Sequence, residues 1–375
     1  MDPADFSRRV LLAVTGLSPQ VVTETVYALA RMGTSAVPTE VHVITTAEGS
    51  ERARLALLTR EPGWFFRLCS DLGLEDIRFE VENIHVLQSS DGLPLTDIRS
   101  QEDNERAADF ITEKVREFTS DPNSALHVSI AGGRKTMGYY AGYALSLFGR
   151  PQDRLSHVLV SEPFESSWDF FYPTPYSRVI TTRDNKLADT AEAQVTLAAI
   201  PFVSLRDGLP KRLLEGRSSL SQTVVAARRA LDPPELLIDL AAKSLYAGGE
   251  QVFLAAADLA FYTLFARRRQ SSSHSVRRND SDLAGPYLAE YKRIVGEMSG
   301  DLERAEQALS RGMDEAYFDS RKSRTNGALE EALGSQLAEV YKIHGDGRRN
   351  GRFSLRLEPE AIRIGALSPE VEART

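Results

Sequence analysis

Arg134 and Lys135 stand side by side in AGGRKTM (Ala131–Met137), behind two glycines and in front of a helical pattern. Gly132 and Gly133 let the backbone approach a ligand closely or take positive φ. The free N–H groups at a helix start favour an anion, Arg adds forked contacts, and Lys adds a movable point charge. A phosphate is the guest that this pattern suits, with Ala131, Thr136 and Met137 completing the loop. An ordinary turn with two solvated cations is the plainer account. Cations at a helix N-terminus oppose its dipole, however, and need some other reason to be there.

A second turn, TGLSPQ (Thr15–Gln20), offers hydroxyls instead of charge. Thr15, Ser18 and Thr23 surround a helix start, Gly16 and Leu17 form the turn, and Pro19 suits the first helical position ahead of Gln20. Ser18 reads as an N-cap by its type and its place. A capping serine also sits where a bound phosphate or sugar would lie. Neither turn is a Walker loop, because GGRKT has the wrong spacing, and TGLSPQ is not the G-x-G-x-x-G of a dinucleotide site.

Both turns need a scaffold that brings strand ends together. Over the first two hundred residues short apolar runs alternate with helical patterns. RVLLAVT (Arg9–Thr15), EVHVITT (Glu40–Thr46), NIHVLQ (Asn83–Gln88), the run before Ala131 and SHVLVS (Ser156–Ser161) read as strands. Val22, Val26, Leu29 and Ala30 give helical spacing between the first two, and Asp103–Thr119 is strongly amphipathic with acid at its start. Such alternation predicts an α/β fold with a mostly parallel sheet covered on both faces. Ligands of such sheets lie beyond the carboxyl ends of the strands, where both turns fall.

Taken together and in this order, TGLSPQVVTETVYAL and SIAGGRKTMGYYAGYALSLFG resemble the CRISPR ring-nuclease family with a CARF (CRISPR-associated Rossmann fold) domain. The resemblance covers about residues 8–205, IPFVSLRD fitting the end of that domain. It implies a Rossmann-like sheet and a homodimer that binds cyclic tetra-adenylate across its two-fold axis. It also implies metal-independent cleavage into short linear adenylates, which switches off type III CRISPR immunity. No cofactor is expected. In such a cut the ribose 2′-hydroxyl attacks the neighbouring phosphate and leaves a 2′,3′-cyclic phosphate, so the protein supplies alignment and charge. Ser18 matches the serine of the family's first motif and would bond the reacting ribose or phosphate. Lys135 would neutralise the phosphoryl oxygens, Arg134 would hold a phosphate, and the backbone of Gly16, Gly132 and Gly133 would complete the cradle. No histidine stands out as a general base.

Past Pro201 the pattern changes, dividing the chain into residues 1–205 and a mainly helical part, 206–375. Residues 205–246 read as helical with proline breaks, and Val252–Arg269 as an amphipathic helix. A polar, serine-rich loop spans 267–282. A helical stretch ending near Ile343 precedes a β-hairpin, a sequence that resembles a winged helix. Arg348, Arg349 and Arg352 lie at its wing and suit a nucleic-acid backbone, although Asp314, Glu315, Asp319, Glu330 and Glu331 offset them. Arg269 and His274 make an R-x-x-x-x-H match to HEPN ribonucleases, which chance accounts for more simply in a polar loop. Trp168, Phe170, Phe171 and Tyr172 offer stacking surfaces for adenine, or else core. Glu162 follows the last parallel strand without an assigned role.

Composition bounds the rest. At 375 residues two domains are expected, and a net charge of −8 argues against nucleic-acid binding through a whole-protein positive field. One cysteine, Cys69, excludes an intrachain disulfide framework and any multi-cysteine metal site, while six scattered histidines show no zinc spacing. Magnesium held by carboxylates stays open. No apolar run approaches a membrane span, and the chain reads as cytoplasmic. Two rivals to ring cleavage remain: a non-catalytic sensor working through the C-terminal domain, and a HEPN-like ribonuclease switched on by the ring.

Overall fold

β1 (Arg8–Val14) is buried from Val10 onward, as a run of apolar residues without alternation requires. In the computed structural model it lies at the centre of a six-stranded sheet. Described in that structure are residues 1–74, 77–165, 167–210, 213–214, 216, 219–229, 233–271, 275–278, 280, 283–347 and 351–365. The other strands of the sheet are β2 (Glu40–Thr45), β3 (Ile84–Val86), β4 (Ser124–Ser129), β5 (Arg154–Val160) and, beyond a short β6–β7 ribbon (Val179–Thr181 and Leu187–Asp189), β8 (Val195–Ala199). Their order is β3-β2-β1-β4-β5-β8, with every pair parallel except β5–β8. This is the doubly wound Rossmann-like arrangement, whose strand order reverses between β1 and β4. The antiparallel edge strand β8 was not foreseen from the sequence.

Register decides where the two loops emerge. β1 and β4 pair from Arg8↔Ser124 to Ala13↔Ser129, so their carboxyl ends are level. The chain leaves β1 through Thr15–Pro19 into α1 (Gln20–Met32), and leaves β4 through Ile130–Arg134 into α5 (Lys135–Phe148). α1 buries Val22, Val26 and Leu29, three and four residues apart, and with α3 (Trp64–Leu72) closes a core over Leu11, Ala13, Val41 and Val43. α4 (Gln101–Ser120), held at its start by a Ser100–Asp103 capping box, packs on α5. α2 (Ala47–Ala53) follows β2 at once, with Thr46 as its N-cap.

By its internal contacts the chain divides into one unit of Met1–Arg206 with Arg217–Leu220, and a second of Asp207–Gly216 with Ser221–Thr375. The second is less purely helical than expected. Leu236–Asp239 and Ser244–Ala247 are strands, forming with Glu250–Val252 and Ile362–Ile364 a four-stranded sheet. The alternation in LLIDLAAKSLYA is too short to announce itself as β; its two halves pair as an antiparallel hairpin, and Ile362–Ile364 adds a parallel strand beside Leu236–Asp239. Helix Ala256–Gln270 is apolar on nearly all sides, with Leu259–Ala266 buried throughout. The expected hairpin forms between His344–Gly345 and Arg352–Ser354. Among the described residues no helix is long and apolar enough to cross a membrane.

Candidate functional site

The loop after β1 and the loop after β4 touch backbone to backbone. A Cβ on Gly16 would lie 3.2 Å from the Gly133 Cα, and one on Gly132 would lie 3.0 Å from the Val14 carbonyl oxygen. Gly133 has φ +80°, in the left-handed region that favours glycine. Side chains at these positions would force the loops apart. What they enclose is a cleft of about 490 Å³ lined by Gly16–Ser18, Thr46, Glu48, Thr96, Asp97, Ala131–Arg134 and Met137. The loop that leads into α1 and the starts of α2 and α5 reach it.

Helix α1 begins behind Pro19 and α5 behind Arg134, and neither N-cap residue makes a side-chain hydrogen bond to its helix. Ser18 is therefore not the cap that its type and position suggest. The helix starts one residue too late, because Pro19 itself takes the capping place. The exposed Ser18 hydroxyl has no hydrogen-bond partner among the described residues. Uncapped first-turn N–H groups beside a free hydroxyl are groups that an anion can satisfy.

Arg134 faces the cleft, but its guanidinium is occupied. Nε donates to Asp97 Oδ1 at 3.0 Å, and Nη2 bonds the other carboxylate oxygen. That hydrogen-bonded guanidinium holds the Asp97 carboxyl down to about 2, and Asp97 in turn raises Arg134. Sequence reading missed Asp97, which comes from the long connection between β3 and α4 and has no motif around it. Lys135 and Thr136 are exposed and lie outside the cleft lining. Helical geometry explains this, since in the first turn of α5 Met137 is buried against the cleft while residues 135 and 136 point to the exposed side. Lys135 reaches a guest only by swinging its four-carbon stem.

The remaining residues of the first turn divide sharply. Leu17 lines the cleft. Pro19 is buried, and Gln20 is buried with Nε2 donating to the Trp168 carbonyl at 3.0 Å. Thr15 is fully buried and its Oγ1 has no partner among the described residues. Thr23 does not face a guest: it is buried, and its hydroxyl donates to the Gln20 carbonyl at 2.9 Å.

On the other side of Ser18 and Ala131 lies a second cleft of about 390 Å³, to which Gln20, Glu24, His157, Glu165, Trp168 and Arg183 contribute. Glu24 is partly buried, and burial with the nearby charge of Glu165 pushes its carboxyl up to about 8. His157, on β5, thus shares a cleft with Ser18, although no histidine stood out in the sequence. Strand order placed it there. Of the aromatic group, Phe170, Phe171 and Tyr172 are core, Phe171 stacking on Trp64 with centroids 5.0 Å apart. Trp168 alone is 61% exposed, with the Arg52 guanidinium 5.1 Å from its ring centre. Glu162 is exposed and lines neither cleft.

In the second unit Arg269 belongs to the end of helix Ala256–Gln270 rather than to a loop. Its Nε bonds the Leu357 carbonyl and its Nη2 lies 3.6 Å from Glu358. His274 is outside the described residues, as are Arg348 and Arg349. Arg352 donates to Ser275 Oγ at 3.2 Å.

No curated protein sequence matches the chain. Among solved structures, that of Can2 from Sulfobacillus thermosulfidooxidans in complex with cyclic tetra-adenylate is similar at 13% identity, with a TM-score of 0.22. That match covers 86% of this chain and 64% of Can2, and a likeness so low lends nothing to the reading of the site. The family model of CRISPR-associated protein NE0113 matches residues 18–233, from Ser18 in the first turn through every strand of the sheet after β1. The chain belongs to the CRISPR-associated protein NE0113 family.

Proposed function

We propose that residues 1–205 bind cyclic tetra-adenylate at a homodimer interface and cleave it, without a metal ion, to linear di-adenylate carrying a 2′,3′-cyclic phosphate. The observation that carries this reading is the cleft at the β1/β4 switch point. There the Ser18 hydroxyl, unpartnered among the described residues, the uncapped start of α5 and an arginine line the same space. Those groups suit a phosphodiester beside a ribose, and membership of a CRISPR-associated family makes a cyclic oligoadenylate the natural guest. In the cell the reaction would remove the ring in the cytoplasm and end type III CRISPR signalling.

The chemistry asks little of the chain. The ribose 2′-oxygen forms a bond to phosphorus, the 5′-oxygen leaves with its electron pair, and the proton lost from the 2′-hydroxyl is returned to it. Ser18 bonds the ribose or the phosphate and aligns the 2′-oxygen with the departing 5′-oxygen. The N–H groups of Gly132 and Gly133 and the start of α5 meet the phosphoryl oxygens, and Lys135 swings in to neutralise developing charge. Arg134 holds a phosphate after sharing or leaving Asp97. Such positioning without a strong base suits slow turnover. Residues 206–375 form an accessory module in this reading.

Incubating the protein with radiolabelled cyclic tetra-adenylate in EDTA tests the proposal, the expected product being linear di-adenylate with a cyclic phosphate end. Tight binding without turnover would instead make the protein a sensor. Cleavage of added single-stranded RNA only when the ring is present would make it a ring-activated ribonuclease.

A further inference from the structure

The second cleft contains groups that phosphate chemistry does not use. Glu24 projects from the middle of α1 and makes no hydrogen bond or ion pair among the described residues. Beside it Gln20 Oε1 is buried without a donor among the described residues, while Gln20 Nε2 ties down the backbone of Trp168. Trp168 lines the same cleft, largely exposed, and Arg52 lies against its ring. At about 390 Å³ the space falls within the roughly 300–1,000 Å³ of small-ligand sites. It shares Ser18 and Ala131 with the phosphate cleft, so one nucleotide can occupy both. An apolar guest would leave the carboxyl unanswered, and an anionic one would meet Glu24 and Glu165 together.

We infer that this cleft is a base pocket in which Trp168 stacks on an adenine and the Glu24 carboxyl reads its edge. The inference rests on the cyclic-adenylate reading and deepens it by naming the group that selects the base. A protonated carboxyl presents one donor beside one acceptor, which matches the acceptor N7 and donor N6 of adenine. Guanine presents two acceptors, N7 and O6, on that edge, and its own donors lie on the other edge, where only an ionised carboxylate would accept from both. The protonation state of Glu24 thus sets the preference between the two purines.

The surroundings keep Glu24 neutral. Burial, and then the charge of Glu165, raises its carboxyl to about 8, so the acid form predominates at neutral pH. His157 from β5 and Arg183 from the β6–β7 turn line the same cleft, and β8 brings no ionisable side chain. On α3, the other helix packed on α1, Arg67 pairs with Glu61 at 2.6 Å and Asp71 accepts from Tyr172 Oη at 2.8 Å.

The test measures binding of cyclic tetra-adenylate and cyclic tetra-guanylate to the full chain from pH 6 to 9.5. Wild type should prefer the adenylate ring and lose that preference as pH rises past 8. Glu24→Gln, whose carboxamide keeps one donor and one acceptor at every pH, should keep the preference throughout. Glu24→Leu should lose about tenfold to a hundredfold for the adenylate ring, the worth of one bidentate base contact. Trp168→Ala should weaken both rings alike, since stacking tolerates any base. If Glu24→Leu, melting as wild type does, binds both rings as wild type does, the inference is overturned while the ring-binding proposal stands. A wild-type preference that does not change with pH also overturns it. If wild type binds neither ring, both fall together.

Discussion

Replacing Glu24 by Gln should stabilise the N-terminal unit, and the gain should grow with pH. A free glutamate titrates near 4.5, whereas in the fold Glu24 titrates at about 8, chiefly because burial disfavours its charge. Between those values the folded chain holds a proton that the unfolded chain has released. Stability is therefore fully present below pH 4.5, drains away as pH rises, and is lost once pH passes 8. A shift of about 3.5 units at about 1.36 kcal/mol per unit gives a ceiling of about 5 kcal/mol at pH 9. Only about 0.7 kcal/mol of it is already lost at pH 5. Because Glu24 is partly rather than wholly buried, cleft water screens the charge and the measured gain should be below that ceiling. Gln has the same shape and no charge to desolvate, so wild type and variant should melt within a few degrees of each other at pH 5. With about 2–4 °C per kcal/mol for a unit of this size, the variant should melt up to about 10–15 °C higher at pH 9. Differential scanning fluorimetry at pH 5, 7 and 9 reads this directly. Parallel curves across that range would refute the claim that the fold holds Glu24 protonated.

Lys135→Ala should reduce turnover of cyclic tetra-adenylate by about a hundredfold or more, the scale of losing one charge-stabilising group, while binding changes less; a near-normal single-turnover rate would remove Lys135 from the reaction. Ser18→Ala should slow turnover yet shift stability by no more than about 0.5 kcal/mol, because Ser18 caps nothing and is exposed. A clear fall in melting temperature with turnover intact would restore the capping role. Asp97→Asn should tighten ring binding and steepen its salt dependence, since it removes a carboxylate from the cleft and releases Arg134. As Arg134 is exposed, the melting temperature should change little, and Kd at two salt concentrations together with a melt checks both halves.

The sequence alone determined the class of the N-terminal fold and the places where its loops must open. Continuous apolar strands between amphipathic helices leave few arrangements but a parallel sheet, and the glycines at 16, 132 and 133 mark turns that no side chain could enter. Period and composition are local properties, and they can be read from a window of a dozen residues. Tertiary structure decided what those loops meet. The level pairing of β1 with β4 turned two separate motifs into one cleft. The β3–α4 connection delivered Asp97 to Arg134, and β5 carried His157 to the far side of Ser18. The same holds for Ile362–Ile364, which found a strand partner only in Leu236–Asp239, more than a hundred residues away. Ser18 shows the difference most plainly. Its residue type promised a cap, but Pro19 took the capping place and left the hydroxyl free between two clefts. Which groups end up without a partner depends on how the whole chain packs, and a window of sequence does not contain that information.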